Sequence, residues 1–219
     1  MTTNGIRQVQ HYDNILETLR RDVSASAHIA GGAVRDTILG RPIRDVDIFL
    51  HDTAGDPAAA LLRAKFGYVK VGEWRQYEMF SDPMVARVAK FEKADETIPI
   101  CLIGLTKDLA PDDNIARFDF GVCMAAWDGT GAMITNDDFK RDIESKTFTL
   151  CRADNLAQFS YSMVRFKKLT ADRYKDWGLS VSDQFEALAK EHAFRKHWYR
   201  EGAHFGLENF PQLLRPKSR

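Results

Sequence analysis

Residues 29–50, IAGGAVRDTILGRPIRDVDIFL, hold two adjacent glycines, an Arg-Asp pair and an Asp-x-Asp within 22 positions. The stretch AHIA (27–30) reads as a short buried strand, Gly31-Gly32 as a tight turn, and AVRDTIL (33–39) as a helix ended by Gly40 and Pro42. DVDIFL (45–50) alternates acidic and apolar residues at its start, so as a strand it projects Asp45 and Asp47 to one face and Val46 and Ile48 to the other.

Each part has a chemical use. A glycine turn between strand and helix lets backbone approach a ligand, and the helix start offers free N–H groups to phosphate. Arg35 and Asp36 stand in the first turn, where the pair either meets phosphate or forms a helix-start ion pair. Two carboxylates on one strand face repel unless a cation lies between them, and an oxygen-only donor set points to Mg²⁺ or Mn²⁺. Phosphates on the glycine turn and metal on Asp45 and Asp47 would allow a hydroxyl to attack an α-phosphate in line.

Around this segment the pattern is α+β. Val9, Tyr12, Leu16, Leu19 and Val23 step by three and four, which predicts an opening amphipathic helix. AAALLRAKFG (58–67) reads as a helix with a glycine stop, and WRQYEMF (74–80), VARVAKFE (85–92) and IPICLIGL (98–105) read as strands. PDDNIARF (111–118) is a turn or helix start, and residues 118–134 are expected to form a hairpin turning at Asp128-Gly129, with Asp119 on its less apolar face. From Asn155 onward Leu156, Phe159, Met163, Phe166 and Leu169 are helically spaced; WGLS (177–180) is a break before a second helix, and LLRPKSR (213–219) a basic tail. The composition shift predicts domains at 1–152 and 153–219.

The balanced charge of 31 Lys+Arg and 31 Asp+Glu hides an asymmetry: residues 151–219 carry 13 cations against 8 acids, a modest bias toward a polyanion such as nucleic acid. The longest apolar runs fall short of a membrane span and the N-terminus lacks an apolar signal core, so a cytoplasmic protein is expected. Cys101, Cys123 and Cys151 are odd in number and lie in apolar stretches, which suits buried thiols. His192 and His197, five apart, do not share a helix face, and no P-loop or dinucleotide fingerprint is present. The aromatics of KEHAFRKHWYR (190–200) either stack on bases or pack on a neighbouring helix.

GGAVRDTILGRPIRDVDI (31–48) resembles the head-domain signature of class II tRNA nucleotidyltransferases, the CCA-adding enzymes, and bacterial poly(A) polymerases of the DNA polymerase β superfamily. ARFDFGVCMAAWDG (116–129) is similar to a degenerate form of that family's Arg-Arg-Asp-Phe-Thr-x-Asn-Ala motif, with Phe118, Gly121 and Cys123 as departures, and SMVRFKKL (162–169) to the opening of its neck helix. The resemblance implies a mixed sheet with flanking helices followed by a small helical neck. It implies NTP phosphates on Gly31 and Gly32, with Arg35, Asp36 and Arg117 serving the nucleotide, and catalytic Mg²⁺ or Mn²⁺ on Asp45 and Asp47. Asp119 either completes a three-acid catalytic site or has a structural or sugar-contacting role. Arg165, Lys167 and Lys168 are the RNA-binding candidates. The implied activity is transfer of NMP to a hydroxyl, foremost an RNA 3′ end such as that of tRNA, with pyrophosphate leaving. A protein or small-molecule acceptor, and a non-catalytic nucleotide- or RNA-binding adaptor, are the alternatives.

Overall fold

The computed structural model describes residues 8–75 and 82–200, which form two compact units. Unit 1 comprises residues up to 118 together with 123–140; unit 2 comprises 119–122 and the residues from 141 onward. The chain thus changes unit first near 118 and finally near 140, ahead of the division near 152 expected from composition.

Unit 1 is built on a seven-stranded mixed sheet: β1 (His28–Ala30), β2 (Val46–His51), β3 (Val69–Arg75), β4 (Val85–Lys93), β5 (Glu96–Leu105), β6 (Ala125–Trp127) and β7 (Ile134–Thr135). Their spatial order is β3-β4-β5-β2-β1-β6-β7. Only the central pair β2 and β5 runs parallel; the other pairings are antiparallel. The apolar spacing at the start of the chain becomes a short turn and α1 (Asp13–Asp22), which bury Val9, Tyr12, Ile15, Leu16 and Leu19. Helix α2 (Gly32–Ile38) follows β1 directly, and α3 (Gly55–Phe66) ends at Gly67 in the left-handed conformation.

The two sheet faces differ. Gly55, Asp56 and Ala59 of α3 line one small cavity with Ala89, Leu102 and Gly104, and Ala59, Ala60 and Arg63 border a groove with Phe91. Helix α3 therefore covers the face that carries Val46, Ile48, Ala89, Phe91, Ile100 and Leu102, all buried. Each fully buried Ile or Leu there contributes about 1.5–3 kcal/mol by the usual area accounting. The opposite face carries Asp47, Lys90 and Cys101, which are only partly covered.

A short helix, α4 (Pro111–Ile115), starts with proline at its first turn and supplies buried Asn114. The expected hairpin over 118–134 is shorter than its alternation suggested: only β6 and β7 pair, while Gly121–Cys123 forms a 3₁₀ turn and Phe120 makes an isolated bridge to Leu150. The reason is a buried carboxylate. Asp142, fully buried, accepts hydrogen bonds from the Val122 amide at 2.7 Å and the Thr149 amide at 3.0 Å, taking Val122 out of any strand ladder.

Unit 2 contains most of α5 (Asp137–Ser145), β8 (Thr147–Leu150), α6 (Leu156–Asp172), β9 (Gly178–Val181) and α7 (Glu186–Arg200). The stretch read as a break before α7 is β9, paired in parallel with β8. Asn155 caps α6 by accepting from the Gln158 amide at 3.0 Å. Phe148 is the centre of the core, edge-on to Phe120, Phe166, Tyr174 and Trp177 with ring centroids 5.4–5.6 Å away. Residues 76–80 of the strand read from WRQYEMF, the side chains of Arg75, His197, Trp198 and Tyr199, and the basic tail lie outside the described residues.

Candidate active site

The antiparallel register, Ile29 opposite Ile48, brings the end of β1 alongside the start of β2. Gly31-Gly32 and Asp45-x-Asp47 thus meet at one end of the sheet. Gly31 has φ +80° and ψ −127°, a region that only glycine adopts without strain, and a Cβ there would lie 3.4 Å from the Phe118 ring. Phe118 in turn meets Phe49 with centroids 5.7 Å apart. The ring standing in place of the family motif's second arginine therefore packs on the glycine turn.

Arg35 and Asp36 are 3% and 2% exposed, and Arg35 Nε donates to Asp36 Oδ1 at 2.9 Å. Arg35 Nη1 also reaches Cys123 Sγ at 3.4 Å, and a Cβ added to Gly32 would lie 3.7 Å from Arg35 Nη2. The guanidinium thus lies close to Gly32, as one half of a buried ion pair.

Asp45 is exposed just before β2, and Asp47 lies one strand step inward on the same face. Cys101 of β5 is in register with Asp47, and its thiol donates a hydrogen bond to that carboxylate. Burial, reinforced by the Asp47 and Asp45 charges, pushes the thiol up to about 12. Lys90 of β4 is in register with Cys101. Its ammonium is held above the ordinary lysine range chiefly by its hydrogen bond to Glu92 at 2.6 Å, with a smaller contribution from the Asp45 charge.

Among the described residues no group of three or more His, Cys, Asp and Glu converges to hold a metal ion. Two hard carboxylates at an open sheet end still fit Mg²⁺ or Mn²⁺, because Mg²⁺ is commonly held by one or two carboxylates plus water and substrate phosphates.

Arg117 donates through Nη1 to Asn114 Oδ1 at 3.1 Å and through Nη2 to Asp82 Oδ2. Asn114 Nδ2 donates to His28 Nε2 at 3.0 Å, and His28 Nδ1 donates to the Ser26 carbonyl at 2.7 Å. Burial pushes the His28 imidazole below its ordinary value, which suits this neutral, singly protonated ring.

In unit 2, Asp119 accepts from Arg165 Nη1 at 2.7 Å, Ser162 Oγ at 2.9 Å and the Phe120 amide at 3.0 Å. Lys167 and Lys168 are exposed on α6. Cys101, Lys90 and the Phe118 packing are what the sequence reading missed. IPICLIGL and VARVAKFE do place Cys101 and Lys90 on alternate faces, but only the strand register shows that these faces join that of Asp47.

The family model described as Gabija anti-defense 2 family protein matches residues 6–146. The chain is 26% identical over 170 residues to the multifunctional CCA protein of Haemophilus influenzae (strain PittGG), covering 75% of this chain and 38% of that protein. It is 26% identical over 166 residues to the multifunctional CCA protein of Leptothrix cholodnii, covering 74% and 37%. Among solved structures, the CCA-adding enzyme of Bacillus stearothermophilus in complex with CTP matches with a TM-score of 0.57 at 17% identity, over 94% of this chain and 47% of that one. A tRNA nucleotidyltransferase complexed with a primer tRNA and an incoming ATP analog matches with a TM-score of 0.54 at 19% identity, over 87% and 52%. The mixed sheet with flanking helices is thus the nucleotidyltransferase fold of CCA-adding enzymes. This chain spans well under half the length of those curated relatives. No helix among the described residues is long and apolar enough to cross a membrane.

Proposed function

The chain belongs to the Gabija anti-defense 2 family, and on that footing we propose that it is a metal-dependent nucleotidyltransferase that moves NMP from NTP to a hydroxyl, with an RNA 3′ end as the leading acceptor. The observation that carries this reading is the meeting of the Gly31-Gly32 turn with Asp45 and Asp47 at one end of an open sheet face. The backbone of the turn receives the triphosphate, and the buried Arg35–Asp36 pair keeps that backbone in place. Asp45 and Asp47 hold Mg²⁺ or Mn²⁺, which when bound screens phosphate charge and favours the ionised hydroxyl. The acceptor oxygen bonds to the α-phosphorus, the bond to the bridging oxygen breaks, the hydroxyl proton leaves to solvent and pyrophosphate departs.

Cys101 orients Asp47 by donating its S–H, and Arg117 serves the nucleotide from its Asp82–Asn114 brace. Asp119, engaged by Arg165, Ser162 and its neighbour's amide, takes the structural one of the roles open to it, within unit 2. Arg165, Lys167 and Lys168 provide cations for an RNA backbone.

A second reading is transfer to a protein or small-molecule hydroxyl, for which the anti-defense description of the family gives the motive. Incubation with each labelled NTP, Mg²⁺ or Mn²⁺, and a mixture of RNA and protein separates the two. Label on RNA that is lost in the Asp45→Ala/Asp47→Ala variant supports the leading reading, and label on protein supports the second. Transfer that survives in the double variant overturns both.

A further inference from the structure

The face that carries Asp47 continues across three more strands as a row of unlike side chains. Cys101 lies opposite Asp47, Lys90 opposite Cys101, and Gly72 of β3 opposite Lys90. Laterally paired residues project to the same side of a sheet, and strands lie about 4.8 Å apart, so Gly72 is about 14 Å from Asp47.

Gly72 is not an empty place. A Cβ there would lie 2.8 Å from Trp74 Cη2 and 3.2 Å from Cζ2, so the six-membered ring of the indole covers the position where a methyl would stand. Trp74, two residues on and therefore on the same face, is partly exposed. The glycine lets the indole lie down on the sheet beside Lys90. Lys90 is itself held in the row by its hydrogen bond to Glu92 at 2.6 Å.

We propose that this row is the acceptor seat: the end of a single-stranded nucleic acid lies across β3, β4 and β5, with a base stacked on Trp74, a backbone phosphate on the Lys90 ammonium and the terminal hydroxyl directed to Asp45 and Asp47. The proposal rests on the nucleotidyltransferase reading for its chemistry and deepens it by naming the side chains that would seat the acceptor strand. A flat indole face accepts any base, and an ammonium is a point charge that suits a phosphate without demanding a sequence. A flat ring and a point charge one strand apart match the alternation of base and phosphate along a single nucleic-acid strand.

Titration of a short fluorescein-labelled oligo(A) RNA with the full chain, read by anisotropy, tests it. Trp74→Ala is expected to weaken binding about tenfold while Trp74→Phe keeps most of the affinity. Lys90→Met is expected to weaken it comparably and to flatten the dependence of log K on log salt by about 0.7. Calorimetric binding of NTP with Mn²⁺, measured on the same proteins, should be unchanged by Trp74→Ala, which also shows that this variant is folded. Binding of the oligonucleotide by both Trp74→Ala and Lys90→Met as tightly as by wild type overturns the proposal, as does a wild-type protein that binds NTP but no oligonucleotide. Failure of wild type to bind NTP, with the Trp74 and Lys90 effects on RNA intact, overturns the nucleotidyltransferase reading and leaves the seat standing.

Discussion

Cys101 and Asp47 face each other across the parallel strands β2 and β5, the thiol donating to the carboxylate. Because burial and the two aspartates push the thiol up to about 12, it stays protonated at any working pH. The expected outcome is that iodoacetamide at pH 8 leaves Cys101 unmodified in the native protein and alkylates it readily in denaturant, as read by mass spectrometry. Rapid native alkylation of Cys101 would contradict the arrangement.

Asp45→Asn and Asp47→Asn should each lower NMP transfer by more than about a hundredfold, since metal-assisted stabilisation of the reacting phosphate amounts to several kcal/mol. Melting temperatures within a few degrees of wild type are expected for Asp45→Asn, whose side chain is exposed. Rate measurements beside thermal melts check both halves.

Gly31→Ala forces a φ of +80° on a residue with a Cβ. A cost of about 1–3 kcal/mol is expected, together with weaker NTP binding. Denaturant midpoints and calorimetry separate the two effects.

His28 has its imidazole pushed below the ordinary value, so between the folded and unfolded values the unfolded chain binds the extra proton. Stability is therefore present above about pH 6.5 and is lost as pH falls further. Urea midpoints at pH 7.5 and pH 5 should differ more for wild type than for His28→Gln; equal shifts would remove His28 as a cause.

Asp142 behaves oppositely. Burial raises its carboxyl above the ordinary range, so its charged form costs stability as pH rises through that window. Asp142→Asn keeps a carbonyl oxygen for the Val122 and Thr149 amides and should equal or exceed wild-type stability at pH 7. Asp142→Leu orphans both amides and should cost about 2–5 kcal/mol. Comparing the three proteins in urea at pH 5 and pH 7 reads both the sign and the size.

The strand, glycine turn, helix and Asp-x-Asp strand of 27–50 were legible because each rests on local rules: backbone freedom at glycine, period-two alternation, and helix stops. Asp142 was not, because nothing in DDFKRDIES marks one acid of a polar helix as the one that will be buried against Val122 and Thr149. β8 and β9 were missed because two four-residue strands carry too little alternation and their pairing joins residues about thirty apart. The same limit hid the row from Gly72 to Asp47: four residues on four strands share no sequence neighbourhood, and register alone unites them. The Arg35–Asp36 ion pair was among the readings the sequence allowed; its burial was not visible in the spacing.

The chain path has a consequence for inheritance. Unit 2 takes residues 119–122 from the middle of unit 1 and resumes only at 141, so exchanging either unit for that of another protein requires junctions after 118, 122 and 140 rather than one. A single crossover downstream would leave Phe120 facing a stranger in place of Phe148.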